Sequence, residues 1–194
     1  MSASCIGTPP LTRRGALAAA LAWAAVPGSG AAAPTQGLVL PRAAAPDFAL
    51  TGVDGSLFDL SARLRGRISA VQLMFAGCSS VCPPQGVMFA AVAGRLSAPE
   101  MQLLSLTVDP LGDSPQALRA WLAKFGEHRR WTAAVPRVRD VDALSAYLRG
   151  GPVKSGTHGT QVFLFDRQAR LAFRTTELPS AEHVASLLTQ LAAA

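Results

Sequence analysis

The chain has 194 residues, 49% of them hydrophobic and 15% charged. That composition supports one buried core and excludes general disorder, coiled coil and, with no strongly apolar run of about eighteen residues, a polytopic membrane protein. Three cysteines are too few for a disulfide scaffold. The net charge of +6 falls to +4 without Arg13 and Arg14, and the remaining cations are scattered and not interleaved with aromatics, a solvated basic surface with no nucleic-acid partner.

The N-terminus reads as an address. Thr12-Arg13-Arg14 precede a weakly apolar, Ala-rich run over 15–26, then Pro27, Gly28, Ser29 and Gly30. This is the basic, apolar and small-residue order of an export signal over residues 1–31, with paired arginines that resemble a twin-arginine signal. Export places the protein in the periplasm. If the segment is not cleaved it tethers the protein to the inner membrane. Cys5 leaves with the signal, so the mature chain carries Cys78 and Cys82 in an oxidising compartment.

Residues 32–45 are Ala- and Pro-rich without a period and read as a flexible linker, which leaves residues 46–194 as the folded domain. Phe48, Leu50 and Val53, the Asp54-Gly55 turn and 57–60 predict an N-terminal β-hairpin. The apolar runs 68–75 and 101–108 predict buried strands. Helices are expected over 85–96, from Ser114-Pro115 to Gly126, over 140–148 and over 179–191, with a short strand near Trp131. Segments 161–165 and 171–174 flank Asp166-Arg167-Gln168 as a second hairpin. Strands alternating with helices define an α/β fold, a central mixed sheet flanked by helices. A strand running into a cysteine loop and then a helix resembles the thioredoxin-like layout.

The chemistry concentrates in Phe75-Ala-Gly-Cys78-Ser-Ser-Val-Cys82-Pro83-Pro84. Two cysteines four apart, where a strand meets a helix N-terminus, sit in a positive local field that favours thiolate. Two thiolates suit Cu(I). A purely structural disulfide would close too small a loop to contribute much stability. A thiol–disulfide exchange pair is the alternative reading. A peroxidase motif is poorly matched, because Phe75 stands where Pro is expected. Met74 and Met88 fall on apolar faces and read as core. His128 and His183 read as surface residues.

The sequence resembles the Sco/SenC family of exported copper proteins. The resemblance rests on Asp47-Phe48 with Asp54-Gly55, Cys78-x-x-x-Cys82-Pro83, Thr107-Val108-Asp109-Pro110 with Asp113-Ser114-Pro115, and Thr157-His158-Gly159 before Val162-Phe163-Leu164-Phe165-Asp166. It implies a thioredoxin-like fold that binds one copper, as Cu(I) or Cu(II), through Cys78, Cys82 and His158. It implies delivery to a copper-receiving protein such as the copper subunit of cytochrome c oxidase, or preparation of that subunit's thiols, and a thiol–disulfide reductant as a second partner. Asp109 would stand behind the ligands. Ser79-Ser80-Val81 replaces the Pro-Asp-Val of many members, and Thr157 replaces a common Asp.

Overall fold

In the computed structural model, residues 36–126, 128–152 and 159–194 are described. Eight strands form one mixed sheet in the order β1-β8-β7-β4-β5-β6-β2-β3. They are β1 (Gly37–Ala44), β2 (Ala49–Gly52), β3 (Leu57–Asp59), β4 (Ile68–Met74), β5 (Met101–Thr107), β6 (Trp131–Pro136), β7 (Val162–Phe165) and β8 (Arg170–Arg174). The helices are α1 (Leu60–Leu64), α2 (Cys82–Ala93), α3 (Pro115–Ala123), α4 (Val141–Arg149) and α5 (Ala181–Ala193). β4, β5 and β6 run parallel, and every other pairing is antiparallel. None of the helices among the described residues is long and apolar enough to cross a membrane.

The two central runs are apolar at consecutive positions because both faces of the sheet are covered. Along β4, Ile68, Ala70 and Met74 join one core, with Phe89 of α2, Leu118 and Trp121 of α3, and Val184 and Leu188 of α5. Val71 and Leu73 point to the other face, with Leu60 and Leu64 of α1 and Leu144 and Leu148 of α4. Behind α2 the rings of Phe89, Trp121, Phe125 and Trp131 pack at centroid distances of 4.9 to 6.1 Å. A Cβ on Gly86 would lie 2.4 Å from Phe125, so only glycine lets α2 approach this cluster.

Local signals agree with the elements. Ser114 and Ser180 cap α3 and α5, accepting from the Ala117 and His183 N–H groups. Gly150 closes α4 in the left-handed conformation. The N-terminal hairpin forms as β2 and β3, and the second hairpin as β7 and β8.

Three expectations differ. The stretch read as a linker contains β1, which adds an edge strand to β8. β1 carries no period because Val39 alone among its residues is buried, and what holds it is tertiary: Arg42 Nη1 lies 2.9 Å from Asp166 Oδ2, the Tyr147 hydroxyl donates to Ala43 O at 3.0 Å, and Ala45 N–H donates to Ala169 O at 2.8 Å. Helix α2 begins at Cys82, as the proline after it predicts, but ends at Ala93 rather than Leu96. Leu60, expected to extend β3, opens the short helix α1. The export segment, residues 1–31, lies outside the described residues.

Candidate metal and redox centre

β4 ends at Met74, and the loop from Phe75 to Val81 carries Cys78 towards the first turn of α2, where Cys82 stands. Both cysteines are buried, at 8% and 0% exposure, and no disulfide joins them. The sulfurs are hydrogen-bonded to each other, and Ser80 Oγ lies 3.6 Å from Cys78 Sγ. Pro83 and Pro84 have no N–H, so among the first three residues of α2 only Cys82 offers a backbone donor. That donor serves the sulfur of Cys78.

The two thiols are therefore unequal. Burial alone would raise Cys78, but the Cys82 thiol and N–H, with the Ser80 N–H and hydroxyl, outweigh it and bring Cys78 down to about 6. Burial pushes Cys82 up to about 12, helped by the neighbouring Cys78 sulfur and the charge of Asp113, and opposed by a backbone hydrogen bond at Phe75. At neutral pH the pair is one thiolate hydrogen-bonded by one thiol. The helix N-terminus favours thiolate as expected, but at the cysteine before the helix, not the one inside it.

Two soft sulfurs in mutual contact, one already deprotonated, fit Cu(I), which accepts low coordination numbers. Among the described residues no third His, Cys, Asp or Glu joins them to make a three-ligand cluster. His158 lies outside the described residues. β7 runs antiparallel to β4 with Val162 opposite Gln72, so Gly159 and Thr160 stand at the same end of the sheet as the cysteine loop. Glu177 pins them there, accepting from the Thr160 N–H and, at 2.6 Å, from its hydroxyl.

Asp109 is exposed and caps its own turn, with Oδ1 accepting from Gly112 N–H at 3.0 Å. The carboxylate that reaches the cysteine loop is Asp113, whose Oδ2 accepts from Ala76 N–H at 2.9 Å and from the Thr107 hydroxyl at 2.6 Å. Sequence reasoning passed over it because it reads as a residue ahead of a helix cap. The available signal was a second Asp four residues after the first in a strand-end turn. Met74 is fully buried and Met88 half-buried against the same core. His183 is exposed, whereas His128 is half-buried with its ring 6.1 Å from Trp131.

A buried mixed sheet ending in a two-cysteine loop at a helix N-terminus defines a thioredoxin-like protein with a thiol site. The SCO1/SenC family model matches residues 39–193, and the chain belongs to that family. Solved structures share the fold. A SCO1/SenC family lipoprotein from Bacillus anthracis is 23% identical, with TM-score 0.68, over 78% of this chain and 96% of its own. Bradyrhizobium japonicum ScoI, solved with copper bound, is 19% identical, with TM-score 0.63, over 77% and 99%. BsSco, a member of the Sco family of cytochrome c oxidase assembly proteins in which a disulfide switch was identified, is 16% identical, with TM-score 0.66, over 81% and 98%. No curated protein sequence matches the chain.

Proposed function

We propose that this protein is an exported copper-binding protein that holds one copper ion through Cys78, Cys82 and His158. It passes that ion to, or prepares the thiols of, the binuclear copper centre of cytochrome c oxidase or a related copper protein. The observation that carries this reading is the buried Cys78–Cys82 pair, a thiolate and a thiol in contact at the end of β4. Family membership supports it, as do the copper in Bradyrhizobium japonicum ScoI and the assembly role of the Sco family to which BsSco belongs. The imidazole would widen the site for Cu(II). The paired arginines ahead of an Ala-rich run support export to the periplasm, with a tether wherever the segment is retained.

Competitive titration of the reduced protein with Cu(I) against a chromophoric chelator tests this. One-to-one binding is expected, abolished by Cys78→Ser or Cys82→Ser and weakened by His158→Ala. Wild type competing no better than the double cysteine variant overturns the copper reading.

The unequal thiols favour a second reading, thiol–disulfide exchange, in which Cys78 attacks and Cys82 resolves. The two readings are compatible, because only the reduced pair can take up copper.

A further inference from the structure

We propose that Glu177 is the positioning residue for the histidine side of the centre: with Arg149 it fixes Gly159 and Thr160, and through them the neighbouring His158. This rests on the reading of Cys78, Cys82 and His158 as the copper ligands. Thr160 lies two residues ahead of β7, and its N–H donates to Glu177 Oε2. Its hydroxyl donates to the same oxygen at 2.6 Å. That hydroxyl oxygen in turn accepts from the Leu178 N–H at 2.8 Å. The two segments are thus joined in both directions, carboxylate to backbone and hydroxyl to backbone. The other carboxylate oxygen, Oε1, lies 3.8 Å from Arg149 Nη2. Arg149 ends α4 and is 7% exposed. A Cβ on Gly159 would stand 2.7 Å from both Arg149 Nη2 and Glu177 Oε1, so only glycine passes this ion pair. Gly159 follows His158 directly. One peptide bond therefore separates the histidine from backbone that the carboxylate holds.

The strand itself has other support. β7 is paired on both sides, with β4 and with β8. At its start the Val162 N–H donates to the Thr175 hydroxyl, and Gln161 Nε2 to Thr175 O, both at 2.8 Å. Glu177 and Arg149 instead hold the two residues ahead of these, at the end of the sheet that carries the cysteine loop. A side chain that orients a metal ligand adds affinity by narrowing the positions the ligand samples. Cys78 and Cys82 are placed by their own loop and by α2, so the carboxylate acts on the histidine alone.

The test is a double-mutant cycle on the reduced full chain, read by Cu(I) competition against a chromophoric chelator. Glu177→Ala is expected to weaken binding about tenfold in the wild-type background, the lower end for a side chain that orients a metal ligand. In the His158→Ala background the same substitution should change binding by less than about twofold, because no imidazole is left to position. Glu177→Gln keeps an oxygen for Thr160 and should recover most of the loss. A merely structural role gives equal losses in both backgrounds, and that result overturns the proposal. So does a folded Glu177→Ala chain that binds like wild type. Gly159→Ala displaces the same ion pair and should follow the same pattern, so the cycle can be run with either variant that folds. His158→Ala binding Cu(I) as tightly as wild type would instead overturn the reading of His158 as a ligand.

Discussion

Two turns of this molecule are organised by a buried carboxylate, and they differ in what faces it. At the β7–β8 turn, Asp166 is 3% exposed, takes the N–H groups of Gln168 and Arg170 at 3.0 and 2.9 Å, and is neutralised by Arg42 and Arg170 at 2.9 and 3.2 Å. At the β5–α3 turn, Asp113 takes one N–H and one hydroxyl, and among the described residues it has no cation. The first arrangement satisfies a charge in order to hold a hairpin and an edge strand together. The second ties the cysteine loop to the end of β5. Burial and hydrogen bonding are common to both carboxylates; the compensating arginines are not.

This comparison can be broken by substitution. The largest effect expected is on metal binding: Cys78→Ser or Cys82→Ser should weaken Cu(I) competition by several orders of magnitude. Next is Phe89→Ala, which empties the aromatic cluster behind α2 and should cost about 3–5 kcal/mol in urea denaturation. Asp166→Asn should cost about 1.5–3 kcal/mol, because its hydrogen bonds are charge-assisted and two arginines lose their partner. It should leave the reactivity of Cys78 untouched. A variant of Asp166 that altered cysteine chemistry would erase the distinction between the two turns.

The pH dependences sharpen it further. Burial works against ionisation of Asp166, but the Arg170 N–H and the Arg42 and Arg170 guanidinium groups outweigh it and hold the carboxyl below its ordinary 3.8. Its contribution to stability is therefore present above that value and lost as pH falls through the lower folded one. Cys78, lowered from 9.0 to about 6, contributes stability that is complete above pH 9 and is lost as pH falls towards 6. The urea midpoint of the reduced, metal-free protein should rise across that window in wild type and stay flatter in Cys78→Ser. Alkylation by iodoacetamide should follow the same division: modification of Cys78 rises through about pH 6 and then levels off, whereas Cys82, pushed up to about 12, stays unmodified until the protein unfolds. The smallest effect is at the surface: breaking the exposed Arg95–Glu182 pair should change stability by less than about 1 kcal/mol.

Much of the fold is legible in the sequence where burial is symmetrical or a cap is explicit. The runs over β4 and β5 read as strands because both of their faces are covered. Ser114, Ser180 and Gly150 announce helix ends through chemistry that is local. Strand β1 is illegible because its reasons lie far along the chain: Arg42 finds Asp166, and Ala43 finds Tyr147. The site divides the same way. Cys78 and Cys82 are visible as a spacing and a proline. Their inequality is not, since it depends on which sulfur the Cys82 N–H meets and on how deeply each is buried. Asp109 and Asp113 look equivalent in sequence, and only the closure of the 107–113 turn decides which carboxylate faces outward and which meets Ala76.

The aromatic packing behind α2 has an optical consequence. Trp121 and Trp131 meet edge to face with centroids 5.7 Å apart, and both belong to the cluster of buried side chains that contains Cys82 and Phe89. Both indoles of the folded domain therefore sample the apolar surroundings of the thiol pair, so their emission is a built-in gauge. Because thiolates and copper ions quench indole fluorescence, loading, oxidation and unfolding should each leave a distinct intensity without any attached dye.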